Sequence, residues 1–182
     1  MFATPPLPPP AIPALVIQEE VRYYAIEGRN EPELVAQMNT KGYASGSDRY
    51  WAYTSPQLTW NFDVKDVGGS CVLVDPRVSL TITTTLPSWT PPPGTSATVV
   101  AKWHELGRAM RHHEGEHAEI ARTMAGALVA LMREHHADVS CDHLNAFLQA
   151  KGRVIMQRAD AAGIRLDAQT RHGASEGVAL RW

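Results

Sequence analysis

Along this chain the apolar residues first recur at every second position and later at every third or fourth. The first pattern dominates up to about residue 90 and the second takes over from about residue 97. Residues 20–26 (EVRYYAI) alternate as a strand does, and Gly28 punctuates them. Glu31, Pro32 and Glu33 then open a short helix over residues 31–39, because proline and acids suit a first helical turn; it ends before Gly42. Residues 49–54 (RYWAYT) and 57–64 (QLTWNFDV) read as two strands, with Ser55-Pro56 as the turn between them. Gly68-Gly69 makes the next break, and residues 71–74 and 78–86 are β-branched and apolar. Such short connections predict an antiparallel meander. Trp51, Trp60 and Trp89 read as core, packed between sheet and helices.

Pro91, Pro92, Pro93 and Gly94 separate this half from the helical half, and Thr95 or Ser96 is placed to cap the first helix beyond them. No proline occurs from residue 97 to 136, so one long helix is expected, with Gly107 as the place for a kink. Val100, Trp103, Leu106, Met110, His113 and His117 form its inward face, continued by Met124, Leu128 and Leu131. A second helix over about residues 142–162 returns after a short turn, with Gly163 as its stop. The predicted class is α+β: a small antiparallel sheet packed on a long helix and a second antiparallel helix. Residues 1–19 form a Pro-rich tail or linker, and residues 20–182 a single domain.

Composition narrows the class without deciding it. At 182 residues, with 44% hydrophobic and 20% charged side chains, the chain can bury a sizeable core. A net charge of -2 carries no electrostatic footprint for nucleic acid or an anionic membrane surface. No run approaches the length of a membrane-spanning helix, and no basic and apolar leader follows Met1. A mature exported domain and a cytoplasmic protein both fit these facts. Cys71 and Cys141 are open in the same way: two buried thiols or one bridge suit the positions equally.

The chemistry concentrates in the inward face of the long helix. Residues 113–117 read H-E-x-x-H. Residues four apart on a helix share a face, so His113 and His117 aim two imidazoles at one point, as a helix does when it supplies two ligands to Zn²⁺. Glu114 sits one step round, within reach of a water activated by the metal, and is the expected general base. A catalytic zinc ordinarily has three protein ligands and an open position. Glu134, His135 and His136 lie roughly 25 Å or more along the axis from His117, by the helical rise. His104 and His112 point off the ligand face. Geometry leaves Asp160, where the second helix regains the height of the metal, and His172 in the tail. Gly173 beside His172 permits a close backbone approach.

Several segments resemble the DUF922 family of bacterial proteins, described as predicted secreted zinc-dependent proteases. They are YYAIEG at 23–28, RYWAYT at 49–54, LPSW at 86–89, the motif at 113–117, and TRHG at 170–173 with Gly177. The family often carries Tyr-Asp ahead of the Thr-x-His-Gly element, where this chain has Leu166-Asp167. The resemblance implies a zincin-like zinc peptidase acting on a peptide or protein substrate. It favours His172 as third ligand, with Asp167 orienting it, and a Cys71–Cys141 bridge in a periplasmic or secreted setting. Apart from the resemblance, the sequence names no oxyanion donor, with Tyr50, Tyr53 and Arg171 as candidates, and residues 80–86 are a strand that could hold a peptide by strand addition. The competing reading is a non-catalytic zinc-binding or structural and interaction module of the cell envelope.

Overall fold

The computed structural model describes residues 11–46 and 48–179. The first ten residues of the Pro-rich lead lie outside the described residues. The chain is α+β, with a small mixed sheet and three α-helices. Two compact units divide it. The first takes residues 57–81 and 120–162 together with the N-terminal residues to 18; the second takes residues 19–56, 82–119 and 163 onward.

Strand β1 (Ala14–Ile26) begins inside the stretch expected to be a tail, because the chain is free of proline and rich in strand-forming residues once past Pro13. Helix α1 (Glu31–Lys41) follows as expected. Its N-cap Asn30 accepts from Glu33 N at 3.1 Å, while the Glu33 carboxylate takes hydrogen bonds from Asn30 Nδ2 at 2.7 Å and Arg29 N at 2.8 Å. Next come the short antiparallel pair β2 (Tyr43–Ser45) and β3 (Asp48–Tyr50). Two long strands follow, β4 (Tyr53–Val67) and β5 (Ser70–Trp89).

These long strands replace four shorter ones expected from the sequence. Ser55-Pro56 does not turn: it lies within β4, an edge strand, the kind of strand that tolerates proline. Between residues 74 and 78 no turn separates two strands either. Asp75 takes a positive φ of 46° ahead of Pro76, and the strand continues. Gly68 and Gly69 do turn. Both have positive φ (65° and 87°), as a two-residue hairpin loop demands.

The sheet order is β1-β5-β4, with the two-residue β6 (Ala137–Asp138) also pairing β5 in antiparallel fashion. The expected all-antiparallel meander is not what forms. Along β1 and β5, Thr83 Oγ1 meets Glu20 Oε1 and Ser88 Oγ meets the Tyr24 oxygen, so residue numbers rise together and the two strands run parallel. The reason is topological: α1, β2, β3 and β4 intervene, and a long crossover is what brings parallel neighbours together. Residues 80–86 therefore sit in the central strand, with neighbours on either side. They do not offer a free edge to a peptide.

Helix α2 (Ala97–Glu134) is the single long helix expected, opened by Ser96, whose main-chain oxygen accepts from Val100 N at 3.2 Å and whose hydroxyl accepts from Val99 N at 3.5 Å. Helix α3 (Cys141–Thr170) runs eight residues beyond its predicted end at residue 162. Gly163 does not stop it, because this glycine lies within the helix and faces an imidazole of α2.

In the second unit, Ile26, Leu34, Met38, Leu86, Trp89, Leu106 and Met110 form the core, with Trp51 and Trp103 packed against it. Trp89 and Trp51 satisfy their indole N–H groups on the Gly28 oxygen at 2.9 Å and Asn39 Oδ1 at 2.7 Å. In the first unit, Val78, Leu80, Leu128, Met132, Leu144 and Leu148 are fully buried. There Trp60 lies over Gly152 of α3, where a Cβ would come within 2.3 Å of the ring. Cys71 and Cys141 form a disulfide that spans 70 residues. Such a bridge persists in an oxidising environment, consistent with a location outside the cytoplasm. No helix among the described residues is long and apolar enough to cross a membrane.

Candidate metal centre

Helix α2 brings His113 and His117 to one face, with ring centroids 4.9 Å apart and planes at 90°. His113 is 4% exposed and Glu114 5% exposed. Below them passes α3. At Gly163 a Cβ would stand 3.6 Å from His117 Nδ1, so this residue is a helical position facing the imidazole, not a cap. Because α3 continues, it delivers Asp167, one turn further on, to the same point. Asp167 Oδ1 lies 3.2 Å from His113 Nε2 and 3.1 Å from His117 Nε2. Asp160 is not part of this convergence.

His172 lies at its margin. Its side chain is 59% exposed, and its Nδ1 is 3.5 Å from Asp167 Oδ1. The side chains that converge are thus His113, His117 and Asp167. Asp167, and not His172, lies beside the two imidazoles, because the extra helical turns after Gly163 carry the carboxylate inward and leave His172 on the turn beyond the helix. There Arg171, His172 and Gly173 all have positive φ (54°, 54° and 76°), and His172 N donates to the Asp167 main-chain oxygen at 2.8 Å. Gly173 performs the close approach expected of it. A Cβ there would meet Val178 Cγ2 at 2.6 Å and His113 Cγ at 3.0 Å.

The turn returns a further carboxylate. Glu176, at the end of a single 3-10 turn (Ala174–Glu176), places Oε2 3.0 Å from His113 Nδ1. The His113 ring is therefore held between two carboxylates. A neutral imidazole has one N–H and can satisfy only one of them. With that hydrogen on Nδ1 and directed at Glu176, Nε2 presents a lone pair toward Asp167 Oδ1, beside the Nε2 of His117. Electron-rich atoms converging in this way require a proton or a cation between them. A tetrahedral ion with bonds of about 2.1 Å holds its ligands roughly 3.4 Å apart, close to the observed spacing from Asp167 to each imidazole. The donor set therefore fits a divalent cation, and with an ion there Glu176 would be the carboxylate that takes the His113 Nδ1 hydrogen.

Glu114 does not touch this point directly. Burial pushes its carboxyl above the usual carboxylate range, and the charge of Asp167 adds to this; the Thr54 hydroxyl and the two imidazoles pull the other way. Thr54, on β4, anchors the motif to the sheet. Its hydroxyl lies 3.2 Å from the Glu114 main-chain oxygen and 3.2 Å from Thr84 Oγ1 on β5. A wall of phenols completes the surroundings. Tyr43 and Tyr53 stack at 4.0 Å, and Tyr50 sits 5.6 Å from the His172 ring. Burial raises the Tyr53 phenol above its ordinary value, with further upward contributions from Tyr43, Tyr50, Asp167 and Glu114, so it stays a protonated donor.

A family model described as a bacterial protein of unknown function (DUF922) matches residues 21–173. The chain belongs to the DUF922 family. No curated protein and no solved structure matches it. The DUF922 match includes His113, Glu114, His117, Asp167 and His172, while Glu176 falls just beyond it. Sequence reasoning passed over Glu176 entirely and gave Asp167 a supporting part. The signal for Asp167 was present: Gly163, Asp167 and Thr170 recur at helical spacing once Gly163 is read as part of a helix.

Proposed function

We propose that this protein is a zinc-dependent hydrolase of the cell envelope or exterior, acting on peptide bonds. The observation that carries the reading is the convergence of His113 Nε2, His117 Nε2 and Asp167 Oδ1 next to a buried Glu114. Three protein donors with a neighbouring carboxylate match the requirement of a catalytic zinc, in which one position stays open. When bound, zinc supplies Lewis-acid chemistry: it acidifies water and polarises a carbonyl. The residues of the chain do the rest. Glu114 accepts the proton of the attacking water as its oxygen adds to the carbonyl carbon, then passes that proton to the amine as the C–N bond breaks. A carboxyl raised by burial is better matched to both transfers than an ordinary one. Tyr53, protonated and close enough to feel the charges of Asp167 and Glu114, is the donor we assign to the developing oxyanion. An H-E-x-x-H helix packed under a strand, in an α+β chain, supports a zincin-like reading, and the disulfide supports export.

The experiment is elemental analysis of tag-free protein beside a peptide-cleavage assay read by mass spectrometry. About one zinc per chain is expected at this site. Glu114→Gln keeps it and loses at least about a hundredfold in cleavage rate, the usual size of general-base catalysis. Asp167→Asn weakens zinc by more than the roughly 10–100-fold typical of outer partners, whereas His172→Ala stays within that range. Retained zinc in Asp167→Asn with zinc lost in His172→Ala restores His172 as the third ligand. Zinc lost in Glu114→Gln makes Glu114 a ligand and removes its role as base.

A further inference from the structure

One residue before each histidine of the motif lies a second pair of ligating side chains. His112 and Glu116 are also four apart on α2, so they too share a face, turned about 100° from that of His113 and His117. The tail that carries Glu176 closes over this pair. Ligand atoms of His112, Glu116 and Glu176 lie within 4.8 Å of one another. Two carboxylates so close repel unless a proton or a cation stands between them. A second observation favours the cation, on a Glu116 side chain that is half-buried. Glu116 Oε2 is buried and meets no hydrogen-bond partner among the described residues. A carboxylate oxygen removed from water and left unpaired is costly, and ligation to a metal is an ordinary way to satisfy it. His112, by contrast, is exposed, leaving an open path for an ion to enter.

We infer that His112, Glu116 and Glu176 form a second divalent-cation site on the flank of the first. One imidazole and two carboxylates suit a borderline ion such as Zn²⁺ better than Ca²⁺, which prefers an all-oxygen shell. Bonds of about 2.0–2.2 Å to each residue require the three side chains to draw together slightly. The site also has a structural consequence. Glu176 is shared: the same side chain that closes this site holds Nδ1 of His113 at 3.0 Å. An ion bound here clamps the 3-10 turn to α2 and so fixes the carboxylate that orients His113. The second ion thereby stabilises the tail without occupying the position where hydrolysis is proposed.

The test is zinc stoichiometry on the full-length, tag-free protein, stripped with chelator and re-equilibrated with excess Zn²⁺, with each variant's fold checked by circular dichroism. Wild type is expected to hold two zinc ions. Glu116→Gln, which keeps the side-chain shape, holds one, as does His112→Ala at an exposed position. The zinc-induced rise in melting temperature is smaller in both variants than in wild type. His113→Ala also holds one, and combining it with Glu116→Gln leaves none. If wild type holds a single zinc that His113→Ala removes and Glu116→Gln retains, the second site does not exist and the proposed catalytic centre is untouched. If His113→Ala leaves the zinc count at its wild-type value while Glu116→Gln lowers it, the second site stands and the catalytic proposal fails.

Discussion

A buried carboxylate is the most telling single residue of the motif. Glu114 has to lose its water to reach the position it holds on α2, and its ionised form is disfavoured there, mainly by burial. In the metal-free protein this has a definite sign. The folded-state pKa lies above the unfolded value, so Glu114 favours folding fully below the ordinary glutamate range. That contribution is lost as pH rises through the raised folded value. Glu114→Gln removes the titration while keeping shape. Chelator-treated wild type and Glu114→Gln should therefore differ by a constant offset at pH near 3, and the glutamine variant should gain on wild type as pH rises from the ordinary glutamate range toward the raised folded value. Thermal melts of the two proteins across this range check it. Parallel pH profiles with a constant offset mean that Glu114 is not held out of its ordinary range.

At the scale of elements, α3 decides what the tail can reach. The H-E-x-x-H helix was legible because its signal is local: five residues, about one turn, one face. Helix α1 was legible for the same reason, from Asn30 through Glu33. The end of α3 was not. A glycine after a helical run is an ordinary stop, and nothing in the sequence around Gly163 says that an imidazole from another helix will lie against it. Likewise, the parallel pairing of β1 with β5 depends on a partner more than sixty residues away, which no local pattern encodes. The two glycines flanking the site separate these cases experimentally. At Gly163 a methyl group finds ordinary contact with His117 Nδ1 at 3.6 Å, inside a helix. Gly163→Ala should thus raise stability by up to about 1 kcal/mol, the helix-propensity difference, and keep the metal. At Gly173 a methyl group meets Val178 Cγ2 at 2.6 Å with φ at 76°. Gly173→Ala should cost about 1–3 kcal/mol, as overpacking does, and weaken metal binding by disturbing His113. Denaturant melts of both variants measure it. A destabilised Gly163→Ala would mean that α3 breaks there after all.

For the molecule as a whole, the covalent link is the feature that sequence alone left even between two thiols and a bridge. The structure joins Cys71 on β5 to Cys141 at the start of α3, and it does so where β6 pairs with β5. The register sets Cys71 opposite Asp138, and Leu73 N donates to the His136 oxygen at 2.8 Å, so the chain entering α3 is already held against the strand. The bridge therefore closes on a native arrangement that hydrogen bonds support, instead of imposing one. Its main effect falls on the unfolded chain, where it closes a loop of 70 residues. In the chain-entropy model that is worth about 4 kcal/mol, and measured bridges typically deliver about 2–4 kcal/mol. Intact-mass analysis of protein from an oxidising compartment should show two fewer hydrogens than the reduced chain. Denaturant unfolding with and without reductant should then differ by about 2–4 kcal/mol, with the native secondary structure retained on reduction because the ladder between β5 and β6 survives. Two free thiols in exported protein would count against both the bridge and the assignment outside the cytoplasm. A bridge whose reduction leaves the unfolding midpoint unchanged would mean that the unfolded chain is already constrained near Cys71 and Cys141.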